Sequence, residues 1–356
     1  MRNNRLVVIP SDPIAAYEQK GTASWLERYY NPGGYFAEVF AVSPLEEGER
    51  RAYGMTILGA SEEQFRGVIE GIAPDVVRAY GGYRAADLAC LHRLPGVPVV
   101  VSVHDTNPAL LHPSVRYADL VICVSEAVKR CVMRIGVPAS RIRLLPNRVD
   151  TALFSPVTNQ ERLRVLDARF PPGKHLLHIG RKEEQKNLDT VIRALGHLPR
   201  EYQCVFIGQG DCAPYRELAR SIGVDSRCYW VPSVPNDELP RWYSWCDCLC
   251  TPSRWEGFGV VFIEAAACGA AIVTSDIAPM NEFLTADISA RLVQEYEDPA
   301  VLAIAVRQVV EDTAYREQIT RGAREVAQQF DRRIIDAREV AIYQEALQLS
   351  PPAQRR

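Results

Sequence analysis

The sequence predicts an α/β protein built from two doubly wound domains. Two observations carry that expectation. Short apolar runs alternate with helix-like segments along most of the 356 residues. The alternation also restarts near His175, after a proline-marked break. In the first half, residues 6–9, 37–42, 76–79, 97–103, 120–124 and 142–145 read as strands. Helical patterns near 23–30, 61–71, 83–94 and 126–135 separate several of them. Apolar strands interleaved with helices imply a parallel sheet covered on both faces. In the second half, residues 175–179, 204–207, 228–231, 246–250 and 271–274 repeat the pattern. The stretch from Pro146-Asn147 to Ser155-Pro156 reads as an interdomain linker. Domains are therefore expected over 1–156 and 157–330, with a final helix in the terminal segment 331–356.

Composition narrows the function. The chain is long enough for two cores. No apolar run approaches the roughly 18 residues that would span a bilayer. The apolar patch after Arg2 and Arg5 is too short for a signal peptide. Net charge is −3, split as +1 over 1–150 and −4 over the rest. That distribution lacks a nucleic-acid footprint. The ten cysteines lack metal-ligand spacing, and Cys246, Cys248 and Cys250 alternate along one expected strand. They read as buried thiols of a reducing cytoplasm.

The most informative stretch is Glu256-Gly257-Phe258-Gly259, followed by Glu264. A strand precedes it, and an Ala-rich helix from about Val260 to Cys268 follows, closed by Gly269. Glu256 therefore lies in a strand-to-helix loop, and Glu264 lies about two turns into the helix. The first helical N–H groups, near Gly259 and Val260, lack intrahelical partners and attract phosphate. Gly257 and Gly259 allow a ligand close to the backbone. Carboxylates beside an anion site suit a sugar-bearing nucleotide, because they accept hydrogen bonds from vicinal hydroxyls. Earlier in the same half, Gly180-Arg181 follows a strand and Lys186-Asn187 opens a helix. Arg181 and Lys186 form a candidate diphosphate clamp. On the residues alone, pairing with Glu183 and Glu184 is an equal alternative. Gly208-Gln209-Gly210-Asp211-Cys212-Ala213 mimics a dinucleotide turn, but no acidic residue ends the next strand. It reads as a tight turn.

The segment 251–273 resembles the signature of family 4 glycosyltransferases (glycosyl transferases group 1). Its pattern is P-S-x-x-E-G-F-G, a second Glu eight residues after the first, then A-x-A-C-G. The family's G-R-x-x-x-x-K-N/G falls on Gly180, Arg181, Lys186 and Asn187. Its P-V-V-x-x-x-H-D falls on residues 98–105, ending in His104 and Asp105. Residues 119–125 and 146–156 also fit, and read as fold-shaping loops. The resemblance is strong over 97–282 and weak over the first 75 residues. Where the family often has Gly-Gly after the first strand, this chain has Gly21-Thr22. Pro232 stands where relatives often carry Gly, so a base contact there has no N–H to use.

The resemblance implies the GT-B fold: two Rossmann-like domains facing a central cleft, with the last helix returning to the first domain. It implies a retaining transfer of a hexosyl group from a UDP- or GDP-sugar to a hydroxyl acceptor, saccharide or lipid-linked, in polysaccharide or glycolipid assembly. Arg181 and Lys186 would hold the diphosphate, Glu256 the sugar hydroxyls, Glu264 the ribose, and His104 the transferred sugar near its 6-position. Gly21, Gly180, Gly257, Phe258, Gly259, Val260 and Asp105 complete the expected substrate-binding set. The chain contains no Asp-x-Asp, so no metal or other cofactor is expected. Front-face attack is implied, with donor phosphate taking the acceptor proton. The expected location is cytoplasmic, with peripheral contact at the inner membrane face allowed. The alternatives are a GT-B sugar-nucleotide epimerase, which needs no acceptor, and a non-catalytic sugar-nucleotide binder.

Overall fold

The computed structural model describes residues 4–19 and 21–349. The chain forms two compact units, one of Met1–Pro146 with Arg333–Arg356 and one of Asn147–Arg332. The division thus falls at Pro146, at the start of the expected linker rather than at 156.

The first unit is built on strands β1 (Arg5–Ile9), β2 (Glu38–Ser43), β3 (Glu49–Ala52), β4 (Met55–Gly59), β5 (Val76–Tyr80), β6 (Val99–Val103), β7 (Leu120–Cys123) and β8 (Ile142–Leu144). They form one sheet in the order β3-β4-β2-β1-β5-β6-β7-β8. All neighbours are parallel except the β3–β4 pair. The strand order reverses between β1 and β5, which makes their carboxyl ends the natural ligand position. The β3–β4 hairpin lies outside the expected pattern. Its β3 reads Glu-Arg-Arg-Ala, polar because it is the solvated edge. Tyr53 and Gly54 turn it with φ of 51° and 68°, the positive values that tight hairpins require.

Helix Glu62–Ile72 shows how local sequence sets a boundary. Ser61 and Gln64 form a capping box at its start. Phe65, Ile69 and Ile72 are buried at spacings of four and three, one helical face. The late helix Arg332–Gln348 also serves this unit. Ile335, Ile342, Tyr343 and Ala346 enter the core around Phe36, Tyr30 and Val100. The Tyr343 ring meets Phe36 edge-on at 5.0 Å. Between these apolar contacts sits a buried ion pair, Arg78 Nη2 to Glu339 Oε1 at 3.2 Å.

The second unit is built on β9 (Lys174–Ile179), β10 (Tyr202–Ile207), β11 (Cys228–Val231), β12 (Cys248–Cys250), β13 (Ile272–Ser275) and β14 (Arg291–Val293). Their order is β11-β10-β9-β12-β13-β14, all parallel. Here the order reverses between β9 and β12. Helix Leu188–His197 buries Leu188, Val191, Ile192 and Leu195 against this sheet. Each such side chain contributes roughly 1.5–3 kcal/mol of hydrophobic stabilisation. Helices Pro299–Glu311 and Thr313–Gln329 complete the cover.

One expectation is corrected. Residues 246–250 are not a single strand: Trp245 ends helix Leu239–Trp245, and Cys246 is its C-cap. The Cys246 N–H still bonds the Trp242 carbonyl at 3.1 Å. Only Cys248 and Cys250 therefore share a strand face. All ten cysteines are free thiols. Among the described residues, no helix is long and apolar enough to cross a membrane.

Candidate active site

In the second unit, the loops leaving β9 and β12 meet at the strand-order reversal. Gly180 follows β9 directly, and a Cβ there would meet Lys186 Cγ at 2.9 Å. Its bare backbone lets the lysine stem lie across it. The Lys186 carbonyl accepts a hydrogen bond from His178 Nε2 at 2.8 Å. Burial pushes the His178 imidazole down to about 4, so it is a neutral donor at ordinary pH. Asn187 adopts the left-handed conformation, φ 53°. Its side-chain amide donates to the Pro252 carbonyl at 2.9 Å, tying the two loops together.

The Lys186 ammonium ion-pairs with the Glu256 carboxylate. Ser253 Oγ donates to Glu256 Oε1 at 2.8 Å. Gln185 Nε2 donates to the Trp255 carbonyl at 2.9 Å and reaches Glu256 Oε2 at 3.4 Å. Glu256 is thus buried and fully engaged. Arg181 behaves differently. Its side chain is 65 % exposed and meets Glu183 at 3.1 Å.

After Glu256 the loop enters helix Val260–Ala267 through Gly259, whose φ is 89°. A Cβ at Gly259 would meet the Phe262 ring at 2.6 Å, so both conformation and space require glycine. No side chain caps this helix start, and its first-turn N–H groups form an uncapped positive end. Gly257 is buried beside it. Phe258 is buried against Phe283 and Phe330, at 4.9 and 5.5 Å between ring centroids. Its ring anchors the loop, leaving only its backbone to meet a ligand. Val260 is half-buried. Glu264 is buried further along, where Tyr243 donates its hydroxyl at 2.9 Å. Burial pushes the Glu264 carboxyl up to about 7, against the lowering effect of that hydrogen bond.

In the first unit, His104 and Asp105 follow β6 and stay together. The His104 ring stacks on Tyr80 at 6.3 Å with 15° between planes. Asp105 Oδ1 accepts the Asn107 N–H at 2.7 Å. Both line a cavity of about 240 Å³ walled by tyrosines. Gly21 is separate: it is exposed, with φ 69° in the turn after helix Ile14–Gln19.

The glycosyl transferases group 1 model matches residues 161–326, and the glycosyltransferase family 4 model matches residues 24–153. The two matches divide between the two halves of the chain. Both halves of the chain are thus similar to glycosyltransferases of these two related families, and the two units share the fold of solved GT-B enzymes. A D-inositol 3-phosphate glycosyltransferase of Xylanimonas cellulosilytica is 29% identical over 242 residues, 65% of this chain and 58% of that protein. The alignment thus spans less than two thirds of that relative's length. A glycosyltransferase of Methanocaldococcus jannaschii, MJ1607, is 24% identical over 349 residues, 91% and 88% of the two chains. In fold, the chain resembles Anabaena HepE, solved in complex with UDP, with a TM-score of 0.80. That match covers 96% of this chain and all of the other at 18% identity.

Several residues that build this candidate site have no signal in the sequence. Arg254 is central among them. It binds Asp189 at 2.9 Å, Glu297 at 2.7 Å and the Glu184 carbonyl at 2.7 Å, clasping three segments together. Lys182 is buried, with Nζ directed to the Gly208, Val231 and Phe206 carbonyls at the ends of β10 and β11. Burial lowers its ammonium to about 8. Gly208 packs directly against the Gly180 carbonyl, leaving no room for a Cβ. The partners are remote in sequence, so only the strand-end position of each loop could have signalled them.

Proposed function

We propose that this chain is a retaining, metal-independent hexosyltransferase that draws on a UDP- or GDP-sugar. The carrying observation is the Lys186–Glu256 pair beside an uncapped helix start, on the two loops at the β9/β12 reversal. An arriving diphosphate competes for the Lys186 ammonium and for the first-turn N–H groups near Gly259. Glu256, released from its lysine, then accepts hydrogen bonds from donor-sugar hydroxyls. Exposed Arg181 is free to swing from Glu183 to the phosphates as a bidentate partner. Positive groups fixed around the leaving diphosphate stabilise the charge that develops there, worth about 3 kcal/mol each. Glu264 receives the ribose hydroxyls, and Gly180 and Gly257 let the nucleotide approach the backbone. His104 binds the transferred sugar near its 6-position, with Asp105 beside it.

In this reading the donor phosphate takes the acceptor proton, and the anomeric configuration is kept. The acceptor is a saccharide or lipid-linked hydroxyl of polysaccharide or glycolipid assembly, reached in the cytoplasm or at the inner membrane face. The relatives' names supply a second acceptor type, an inositol phosphate. The test uses UDP, GDP and their hexose conjugates. A rise in melting temperature with one nucleotide series supports the donor site. NMR of the anomeric proton as transfer proceeds reports retention or inversion. Release of an epimerised donor without any acceptor would instead mark an epimerase. Binding without turnover would mark a non-catalytic binder.

A further inference from the structure

The glycosyltransferase reading gives His104 to the donor sugar, and leaves the tyrosine walls of the first-unit cavity that His104 lines, with the second oxygen of Asp105, without a ligand of stated chemistry. It sits at that unit's own strand-order reversal, between β1 and β5. Ser11 lies just past β1, Tyr80 ends β5, and His104 follows β6. Carboxyl ends at a reversal are where ligands bind in open parallel sheets. At about 240 Å³ the cavity is below the roughly 300–1,000 Å³ of drug-sized sites. It suits one small ring rather than a long chain.

Its walls have a particular chemistry. Tyr17, Tyr29, Tyr80 and Tyr83 face it, with His104 and Asp105. Tyr29 and Tyr80 stand 5.1 Å apart at 41°, so they form adjoining walls rather than closing on each other. Tyrosine offers an apolar face and a hydroxyl at once. Tyr80 is rigid: it is buried and lies under the Arg78 guanidinium at 4.8 Å, while His104 stacks with it. Asp105 uses Oδ1 on the Asn107 N–H, while Oδ2 accepts from none of the described residues. A carboxylate oxygen so placed accepts hydrogen bonds from hydroxyl groups. The lining residues include no lysine or arginine. Arg78, the cation against Tyr80, is buried outside that lining and pairs through Nη2 with Glu339 at 3.2 Å. Phosphate recognition calls for such cations, and here a carboxylate stands in their place.

We propose that this tyrosine cup binds an uncharged pyranose, so that the acceptor is a neutral sugar end rather than a phosphorylated polyol. The claim deepens the transferase reading and rests on it. Flat C–H faces of the pyranose lie on the tyrosine rings, and its hydroxyls reach Asp105 and the Tyr17–Ser11 pair, whose oxygens lie 3.4 Å apart. The site built to bond hydroxyls rejects partners that cannot match them.

The experiment is saturation-transfer NMR on the full chain. The probes are methyl glucoside, galactoside and mannoside, against glucose 6-phosphate and myo-inositol 1-phosphate. At least one methyl pyranoside is expected to bind, and both phosphates more weakly. Tyr83→Ala and Tyr29→Ala are expected to weaken that binding roughly tenfold, losing a ring contact and a hydroxyl. Both side chains are only half-buried, and Tyr83→Phe supplies a milder variant with an intermediate loss. Tighter binding of either phosphate, or unchanged pyranoside affinity in both alanine variants, overturns the proposal. Nucleotide binding by the unmodified protein, measured on the same samples, reports separately on the donor reading. A protein that binds UDP or GDP but no methyl pyranoside keeps its donor site and loses this one.

Discussion

Lys186 and Glu256 form a shielded ion pair, with side-chain exposures of 13 % and 7 %. They come from loops after two different strands, seventy positions apart in the chain. Breaking a buried pair leaves one charge without compensation, typically at about 3–5 kcal/mol. Lys186→Met and Glu256→Gln are each expected to lower stability in urea unfolding, the first more because it strands a carboxylate. The double variant should recover much of that loss, since neither charge is left alone. Donor turnover should stay absent in all three. A double variant that regains turnover would falsify the assignment of this pair to the donor.

Glu264 gives a pH signature. The carboxyl is raised from an ordinary 4.5 to about 7 by burial. Between those values the folded chain keeps a proton that the unfolded chain has released. This group's stabilising contribution is therefore full below about pH 4.5 and is lost as pH rises towards 7. Glu264→Gln, which stays neutral, should match the parent near pH 4.5 and melt higher at pH 8. The difference at pH 8 is at most about 3 kcal/mol, from 1.36 kcal/mol per unit. Melting curves at pH 4.5, 6 and 8 read it directly. Identical curves for both proteins at pH 8 would show the carboxyl to be ionised at no cost. His178 works in the opposite direction: lowered to about 4, it loses stability as pH falls below its ordinary 6.5. The comparison is therefore made against Glu264→Gln and not against an absolute profile.

Arg78 and Glu339 form the second buried pair, 3.2 Å apart and nearly without exposure. Arg78→Met alone should destabilise the first unit by about 3–5 kcal/mol, and Arg78→Met with Glu339→Leu far less. Guanidinium-chloride unfolding of the full chain, followed by aromatic circular dichroism, measures both. If the single and double variants unfold at the same midpoint, the pair does not hold the helix.

The fold class was legible because buried parallel strands advertise themselves as unbroken apolar runs. β1 (Leu-Val-Val-Ile after Arg5) and β6 (Val-Val-Val-Ser-Val) are plain cases. Strand β3 was not legible, because an edge strand need not be apolar. Cys246 misled for a different reason. Alternating Cys246, Cys248 and Cys250 mimic a strand, yet helix Leu239–Trp245 runs up to Cys246 and takes its N–H. At the site, glycine-marked loops revealed where Gly180 and Gly259 fall. The clasp by Arg254 and the Tyr243 hydroxyl on Glu264 were invisible, since a side chain's partner across the fold has no spacing rule.

Helix Arg332–Gln348 carries a consequence for biosynthesis. The first unit's strands all lie before residue 147, yet its core needs Ile335, Tyr343 and Ala346, and Arg78 needs Glu339. Domains usually mature in the order they leave the ribosome. Here the earlier unit has to wait with an uncompensated guanidinium and an open apolar groove until the later one has been translated. The half that emerges first is the half that finishes last.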